Sequence, residues 1–219
     1  MANNVETKMW LVSSDQSPLS QAQVTDFFSQ FISIDQEAEQ GEESRLFDFN
    51  FIIPQPENIW LGSVGGYAEM NIELIEDYGG LDAVKQALKA NKHFPIEHIP
   101  VLTEEQIIEF GMVNGLDWRR KNWGTKWGAY DCSFDWSGSY ESGESAHVSF
   151  CTAWSVPETI LRIIRDIALK KGFDIACVFG GELDCPGEYI DGEFMYWDSV
   201  WNNETHEFER QGDPMDVHK

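Results

Sequence analysis

Basic residues are scarce in this chain of 219 residues, which contains 15 Lys and Arg against 38 Asp and Glu. The formal net charge is −23, a field that repels nucleic acids and anionic membranes and accelerates encounters with basic partners. Long apolar runs are also missing. None approaches the roughly 20 residues that cross a bilayer, so the sequence predicts no membrane contact. The segment MANNVETKMW lacks the basic and apolar parts of a signal peptide, and we expect a cytoplasmic protein.

Cysteine is rare as well, with only four residues in the chain. None forms a CxxC pair, which argues against a zinc site or a redox dithiol. Three of them lie in apolar, strand-like runs, and this placement predicts free thiols in a reducing compartment. The four residues are Cys132, Cys151, Cys177 and Cys185.

Recognisable catalytic and cofactor motifs are missing from the sequence. The five His residues show no HExxH spacing, and the glycine-rich segment 62–66 lacks the Lys and Ser/Thr of a phosphate loop. The acidic segment 184–191 lacks the pattern of a calcium-binding loop. The sequence therefore predicts a protein that is not an enzyme and that binds no metal or cofactor. Unfamiliar chemistry would escape such motifs, so enzymatic activity stays open as an alternative.

Core-forming residues are abundant, with 42% apolar residues that include nine Trp and fourteen Phe. A chain of this length buries roughly 70% of its unfolded surface, so we expect a folded core without disulfides or metals. Periodicity, caps and turn residues predict the elements. These are a helix at 20–31, a strand at 45–53, helices at 81–90 and 103–113, strands at 127–136 and 147–154, a helix at 157–171, and strand-like runs at 173–179 and 187–197.

From residue 45 onward the predicted order is strand, helices, strand, strand, helix, strand, strand. This order predicts an α+β fold, with a ferredoxin-like βαββαβ sheet, one added strand, and helices on one face. We accordingly divide the chain into three parts. They are an N-terminal helical extension at 1–44, a ferredoxin-like domain at 45–197, and an acidic, loose tail at 198–219.

Three segments in this order carry a family resemblance: FNFIIPQP at Phe49–Pro56, WRRKNWGTKW at Trp118–Trp127, and FCTAWSVP at Phe150–Pro157. Together they resemble the YubB-like family of plasmid- and phage-encoded proteins with a ferredoxin-like domain. The resemblance covers about residues 45–197, and its WGTKW core is the specific part. It implies the fold and a mobile-element setting, and it transfers no functional residue because the family has no assigned reaction or ligand.

The Trp-rich segment at 118–127 has two interpretations. Cations placed among aromatic rings suit single-stranded nucleic acid, because phosphates meet the charges and bases stack on the rings. The same residues suit a structural role, in which the Trp rings fill the core and the cations pair with surplus carboxylates. We favour the structural role. The motif residues are Trp118, Arg119, Trp123, Gly124, Thr125, Lys126 and Trp127.

The C-terminal part is strongly acidic, because from Gly172 onward the sequence contains twelve Asp and Glu and only two basic residues, Arg210 and Lys219. A rigid array of carboxylates can imitate the field of duplex DNA, which carries one charge per ~1.7 Å of axis. The alternative is a solvated acidic edge that discourages aggregation. The residues expected to form the binding surface are Glu182, Asp184, Glu188, Asp191, Glu193 and Asp198.

These observations lead to two functional hypotheses. The first is a non-enzymatic phage or plasmid inhibitor whose acidic surface occupies the nucleic-acid site of a basic host defence protein, such as a restriction or CRISPR effector. The second is a single-stranded nucleic-acid-binding module that acts through residues 118–127.

Overall fold

The computed structural model describes residues 3–13, 17–34, 45–56, 86, 115–136, 146–181, 186–202 and 207–215, and from residue 198 onward it describes the backbone alone. Within these ranges the protein has a mixed α+β fold. The strands are β1 (Asn4–Ser13), β2 (Ile32–Ile34), β3 (Arg45–Phe47), β4 (Tyr130–Asp135), β5 (His147–Ala153), β6 (Phe173–Gly181), β7 (Gly187–Ile190), β8 (Glu193–Asn202) and β9 (Glu207–Met215). The helices are α1 (Gln21–Ser29), α2 (Gly115–Asn122) and α3 (Glu158–Lys170), and a 3₁₀ turn lies at Phe49–Phe51.

Seven strands form one sheet in the order β4-β5-β1-β6-β7-β8-β9, and each neighbouring pair is antiparallel. β1 lies between β5 and β6, with registers that include Met9 opposite Val148 and Met9 opposite Cys177. β2 and β3 pair separately in a two-stranded sheet. No helix in the described ranges is long and apolar enough to cross a membrane.

The N-terminal segment differs from its prediction as a helical extension. Residues 4–13 form β1, near the middle of the main sheet. The segment alternates in burial: Thr7, Met9 and Leu11 are buried, whereas Glu6 and Lys8 are exposed. This period of two is the strand signal, and Thr7 concealed it because it is a polar residue at one of the buried positions. Within 1–44, the described helix is α1, which Ser20 and Gln23 begin with a capping box.

The predicted strand at 45–53 is wrong beyond Phe47. β3 ends there and pairs with β2, and a 3₁₀ turn follows at Phe49–Phe51. Asp48 begins this turn because its Oδ1 accepts a hydrogen bond from the backbone N–H of Asn50 at 2.9 Å. Both Phe47 and Phe49 remain buried, which is why the alternation resembled a strand.

The second half of the chain agrees more closely with the sequence. The β4–β5 hairpin, α3 and β6 lie within the predicted positions or a few residues from them. The run at 187–197 instead contains two strands, β7 and β8, which turn at Asp191-Gly192 with φ values of 53° and 86°. Two successive residues with positive φ fit the type I′ hairpin turn that Asp-Gly favours.

The predicted loose tail at 198–219 also differs from the structure. β8 continues to Asn202, and β9 at Glu207–Met215 pairs with it along the edge of the sheet. The predicted helix at 103–113 lies outside the described residues. Of the helix predicted at 81–90, the structure describes Gln86, which is helical.

One face of the sheet is covered and carries the core. This face packs against the inner sides of the helices and against the phenylalanines of β3 and the following 3₁₀ turn, which we call the β3 segment. Phe47 of this segment stacks on Phe150 at 5.2 Å between ring centroids. The opposite face exposes Glu6, Lys8 and Val178. The core includes Met9, Leu11, Phe27, Phe28, Val148, Phe150, Ile160, Leu161, Ile164 and Ile175.

Cys132, Cys151 and Cys177 are free thiols on β4, β5 and β6, as the sequence predicts. Burial raises the pKa of the Cys177 thiol, and the carboxylate of Asp174 adds to the effect. Burial also raises the pKa of Cys151. The described thiols therefore belong to the strands that form the covered sheet, and Cys185 lies outside the described residues.

The central position of β1 leads to a stability prediction. Thr7 is fully buried, and among the described residues no group pairs with its Oγ1. We expect Thr7→Val to raise the free energy of unfolding by about 1–2 kcal/mol, because it removes a buried hydroxyl without changing side-chain shape. Urea denaturation measures the change.

Thr125→Val is the matched control, since Thr125 is equally buried but donates a hydrogen bond to the carbonyl of Trp127 at 2.6 Å. We expect that change to cost about 0.5–1.5 kcal/mol, because the hydrogen bond to the carbonyl of Trp127 is lost. Equal effects of the two substitutions would contradict the assignment of β1 as a buried strand.

Candidate functional site

The acidic residues of the C-terminal part lie on three adjacent strands at one edge of the sheet. β7, β8, β9 and the β7–β8 turn together contain seven acidic residues against one basic residue, Arg210. The seven are Glu188, Asp191, Glu193, Asp198, Glu207, Glu209 and Asp213. We call this three-stranded region the acidic extension. Because the strands are neighbours, a cluster along the sequence becomes a cluster in space.

The predicted surface residues fall in different parts of this extension. Glu188 is half-buried on β7, and Asp191 and Glu193 are exposed at the β7–β8 turn and on β8. Asp198 belongs to β8, of which the backbone is described at this point. The structure thus brings Glu188, Asp191 and Glu193 together on one hairpin, whereas Glu182 and Asp184 lie outside the described residues.

Two arginines of α3 hold this hairpin in place. Arg165 donates two hydrogen bonds to Asp174, from Nε to Oδ1 at 2.7 Å and from Nη2 to Oδ2 at 2.8 Å. The hydrogen bond to Asp174 and nearby acidic groups, including Asp191, raise the pKa of Arg165. A Cβ at Gly192 would lie 2.3 Å from Arg165 Nη1, so the turn packs directly against this guanidinium.

The second arginine acts through an aromatic ring. The Arg162 guanidinium lies 4.8 Å from the ring centroid of Phe194 on β8, and Arg162 also pairs with Glu158 at 3.7 Å. The Tyr196 hydroxyl donates a hydrogen bond to Glu158 Oε1. Sequence reasoning missed both arginines, because they lie on α3 and no spacing rule links that helix to a hairpin 25–30 residues later.

The Trp-rich segment divides into a buried part and an exposed part. Trp118 and Trp123 lie in the core at 5.6 Å between ring centroids, and Trp123 packs edge-on against Phe49. Trp123 is 3% exposed, and its indole N–H donates to the carbonyl of Ile53 at 2.9 Å. These two rings attach α2 to the β3 segment and are closed to a stacking ligand.

The next two residues of the motif lie between α2 and β4, and Gly124 packs against the start of α3. Gly124 has a φ of 81°, which favours glycine, and it ends α2. Its carbonyl accepts a hydrogen bond from Ser155 Oγ at 2.6 Å. Thr125 is buried and donates to the backbone of Trp127. Parts of two resemblance-carrying segments therefore meet at this junction.

The exposed part consists of one cation and one ring. Lys126 Nζ lies 5.2 Å from the ring centroid of Trp127, and Trp127 is 41% exposed. Tyr130 packs edge-on against Trp127 at 6.1 Å. Trp154, which is 53% exposed, follows β5 at the same end of the sheet, beside the Ser155 contact.

Arg119 differs from the other cations of the segment. Its Nε donates to Gln55 Oε1 at 2.8 Å, and its guanidinium lies 5.8 Å from the ring centroid of Trp123. Burial lowers its pKa. Among the described residues, no carboxylate lies within ion-pair distance of this side chain. No local sequence pattern pointed to Gln55, which lies 64 positions earlier.

Comparison with known proteins adds no relative. No protein-family model, no curated protein and no solved structure matches this chain at a significant level. The resemblance to the YubB-like family therefore stays a prediction. Across the ranges that the structure describes, no three His, Cys, Asp or Glu residues are grouped as metal ligands would be.

The division of the Trp-rich segment can be tested by paired substitutions. We expect Trp123→Ala to lower the free energy of unfolding by about 3–5 kcal/mol, because it opens a large cavity in the aromatic core. Trp127→Ala should cost about 1 kcal/mol or less, because that ring is half exposed. Urea denaturation followed by circular dichroism compares the two, and similar losses would contradict the division.

Proposed function

We propose that this protein is a non-enzymatic inhibitor of phage or plasmid origin that occupies the nucleic-acid-binding site of a basic host defence protein. The observation that carries the proposal is the acidic extension, in which β7, β8, β9 and the β7–β8 turn contain seven acidic residues and one arginine. The electrostatic field of this surface has the same sign as that of DNA, so it would attract a groove lined with Lys and Arg. The resemblance to a mobile-element family supplies the biological setting.

The spacing of the carboxylates supports mimicry. Glu188 and Glu193 lie on the same face of neighbouring strands, since Ile190 pairs with Glu193 and Glu188 pairs with Met195. Neighbouring strands are about 4.8 Å apart, and alternate residues of a strand about 7 Å. Phosphates advance about 3.4 Å per nucleotide on each DNA strand, so these spacings are of the same order as one or two nucleotides.

Rigidity is the second support. A flexible acidic tail would lose conformational entropy on binding, whereas a strand hairpin presents its charges in a fixed geometry. The contacts of Arg162 with Phe194 and of Arg165 with the Gly192 turn fix the hairpin against α3. The acidic residues are thus held on a preorganised surface.

The strand order supports a ferredoxin-like core within this protein, with β1 rather than residues 45–53 as its first strand. When β2, β3 and α2 are treated as an insertion between α1 and β4, the elements β1, α1, β4, β5, α3 and β6 read strand, helix, strand, strand, helix, strand. This is the βαββαβ sequence of elements, and the sheet order β4-β5-β1-β6 places β1 and β6 as the split pair requires. The acidic extension then adds to β6 as three further strands.

A second candidate function is supported by the exposed part of the Trp-rich segment. Trp127 and Trp154 offer two accessible rings at one end of the sheet, and Lys126 lies beside the first. Such rings suit single-stranded nucleic acid. The chain's net charge of −23 opposes this function, because it repels phosphates over most of the surface.

The inhibitor proposal is tested with a charge reversal. The tagged protein is used as bait in nuclease-treated bacterial lysate, and the captured protein is then titrated with labelled duplex DNA. We expect the wild-type protein to displace the duplex and the Glu188→Lys/Glu193→Lys variant to displace it at least tenfold less well. The reason is that two positive charges, which repel a basic partner, replace two negative charges that attract it. Asp26→Lys/Asp166→Lys is the matched control, since both double variants take the net charge from −23 to −19.

Asp26 and Asp166 are exposed on α1 and α3, outside the acidic extension. Equal loss of displacement in both double variants would indicate a general charge effect and would contradict the assignment of the acidic extension as the binding surface. A captured protein that binds wild-type protein and duplex simultaneously would overturn mimicry itself.

The nucleic-acid candidate has its own test, with a fluorescent single-stranded oligonucleotide at low ionic strength. If the chain binds it through stacking, Trp127→Ala should weaken binding at least fivefold, because base–aromatic stacking contributes about 1–3 kcal/mol per base. Affinity should also fall steeply with added salt. If the wild-type protein at about 20 µM does not bind the oligonucleotide, this candidate function is rejected.

A further inference from the structure

A cavity of about 570 Å³ lies beside the β3 segment, between the 3₁₀ turn and the end of α2. Volumes of this size are typical of small-molecule sites, which range from about 300 to 1,000 Å³. Its lining combines an apolar wall with a few polar side chains. The lining residues are Leu46, Phe47, Asp48, Phe49, Asn50, Gln55, Pro56, Arg119, Trp123, Gly128 and Ala129.

Arg119 is the only cation among the described residues that line this cavity. Its Nε is occupied by Gln55, and its flat side faces Trp123, so the guanidinium is fixed in orientation by two contacts. Among the described residues, neither Nη atom has a hydrogen-bond acceptor. A guanidinium carries five N–H donors and stays charged in proteins, so within the part of the chain that the structure describes four directed donors are left for a ligand.

Arg120, Arg162 and Arg165 on the helices each have a carboxylate partner, whereas none of the described residues supplies one to Arg119. Acidic residues outnumber basic ones by more than two to one in the chain. Desolvating a guanidinium without a counterion is unfavourable, so a structural role alone would be served better by a nearby Asp or Glu. The arrangement is typical of a ligand-binding arginine whose two Nη groups are left available as hydrogen-bond donors.

We propose that this cavity binds a small monocarboxylate with an apolar body, whose carboxylate accepts two hydrogen bonds from the Nη atoms of Arg119. Arginine and carboxylate form such paired hydrogen bonds with planar geometry. The apolar body would lie against the partly exposed side chains of Leu46, Pro56 and Ala129. This proposal is independent of the acidic extension and of the inhibitor function.

The lining also selects against a doubly charged ligand. Asp48 belongs to the same cavity, and its Oδ1 is held by the backbone N–H and the side-chain amide of Asn50. A phosphate dianion would be repelled by this carboxylate about twice as strongly as a monocarboxylate at the same distance. A single negative charge on a neutral body meets less repulsion, so the site favours a carboxylate over a phosphate ester.

The test uses benzoate as the probe, with benzamide as its neutral counterpart and phenyl phosphate as its dianionic one. Two-dimensional ¹⁵N NMR follows the indole N–H of Trp123 and the Nε–H of Arg119 during titration. We expect benzoate to shift both signals with a Kd on the order of 1 mM or tighter. Benzamide and phenyl phosphate should bind at least tenfold more weakly.

Arg119→Gln should remove benzoate binding, and Arg120→Gln is the matched control because Arg120 is the next residue of α2 and pairs with Asp117 on the surface. Arg119→Lys keeps the charge without the fork and should bind at least fivefold more weakly than wild type. Thermal unfolding of each variant shows that it is folded.

Three outcomes would overturn the proposal. The first is that about 20 mM benzoate, well above a millimolar Kd, shifts neither signal of the wild-type protein. The second is that benzamide binds as tightly as benzoate. The third is that phenyl phosphate binds more tightly than benzoate. If Arg119→Gln fails to fold, the Arg119→Lys comparison and the wild-type ligand series still decide the matter.

Discussion

The pairing of β1 with both β5 and β6 is the interaction on which the rest of the structure depends. β5 and β6 are each antiparallel to β1, so they are parallel to one another and are joined by α3 across the strand between them. Without β1, the β4–β5 hairpin and the β6–β9 meander would have no common hydrogen-bonded neighbour. The side chains of Met9 and Leu11 also lie in the middle of the covered face, where they connect the core beneath α1 to that beneath α3.

Local signals in the sequence predict those elements whose formation depends on neighbouring residues. α3 has a strong apolar stripe and a terminating glycine, and the strands on each side of it are apolar runs, so all three were found. β1 was missed because half of its side chains face solvent and its pairing partners lie about 140–170 residues away. The β7–β8 turn had a local signal in Asp191-Gly192, which was overlooked. The two α3 arginines and the Gln55–Arg119 contact had none, because they arise from the tertiary fold.

The acidic extension persists despite like charges on adjacent strands. Carboxylates directly opposite one another destabilise a sheet, but the observed register places Ile190 opposite Glu193 and Met195 opposite Glu188. The hydrophobic contacts of Phe194 with Tyr189, at 4.2 Å between ring centroids, lie on the other face of the same strands. Apolar burial thus stabilises the hairpin on one face while the charges on the opposite face remain for a partner. The repulsion between them is screened by salt, whereas the aromatic contacts are not.

The sheet order separates the two proposed sites and makes them electrostatically independent. The Arg119 cavity adjoins β3, whose Phe47 N–H contacts Cys132 on β4, one edge of the sheet. β7 is four strand spacings away, about 19 Å, and β9 is six, about 29 Å. The Debye length at physiological ionic strength is about 8 Å, so exposed charges on the acidic extension are largely screened from the cavity. Reversing Glu188 and Glu193 should therefore leave benzoate affinity unchanged. A change larger than twofold would show that the two regions communicate through the structure rather than through the field.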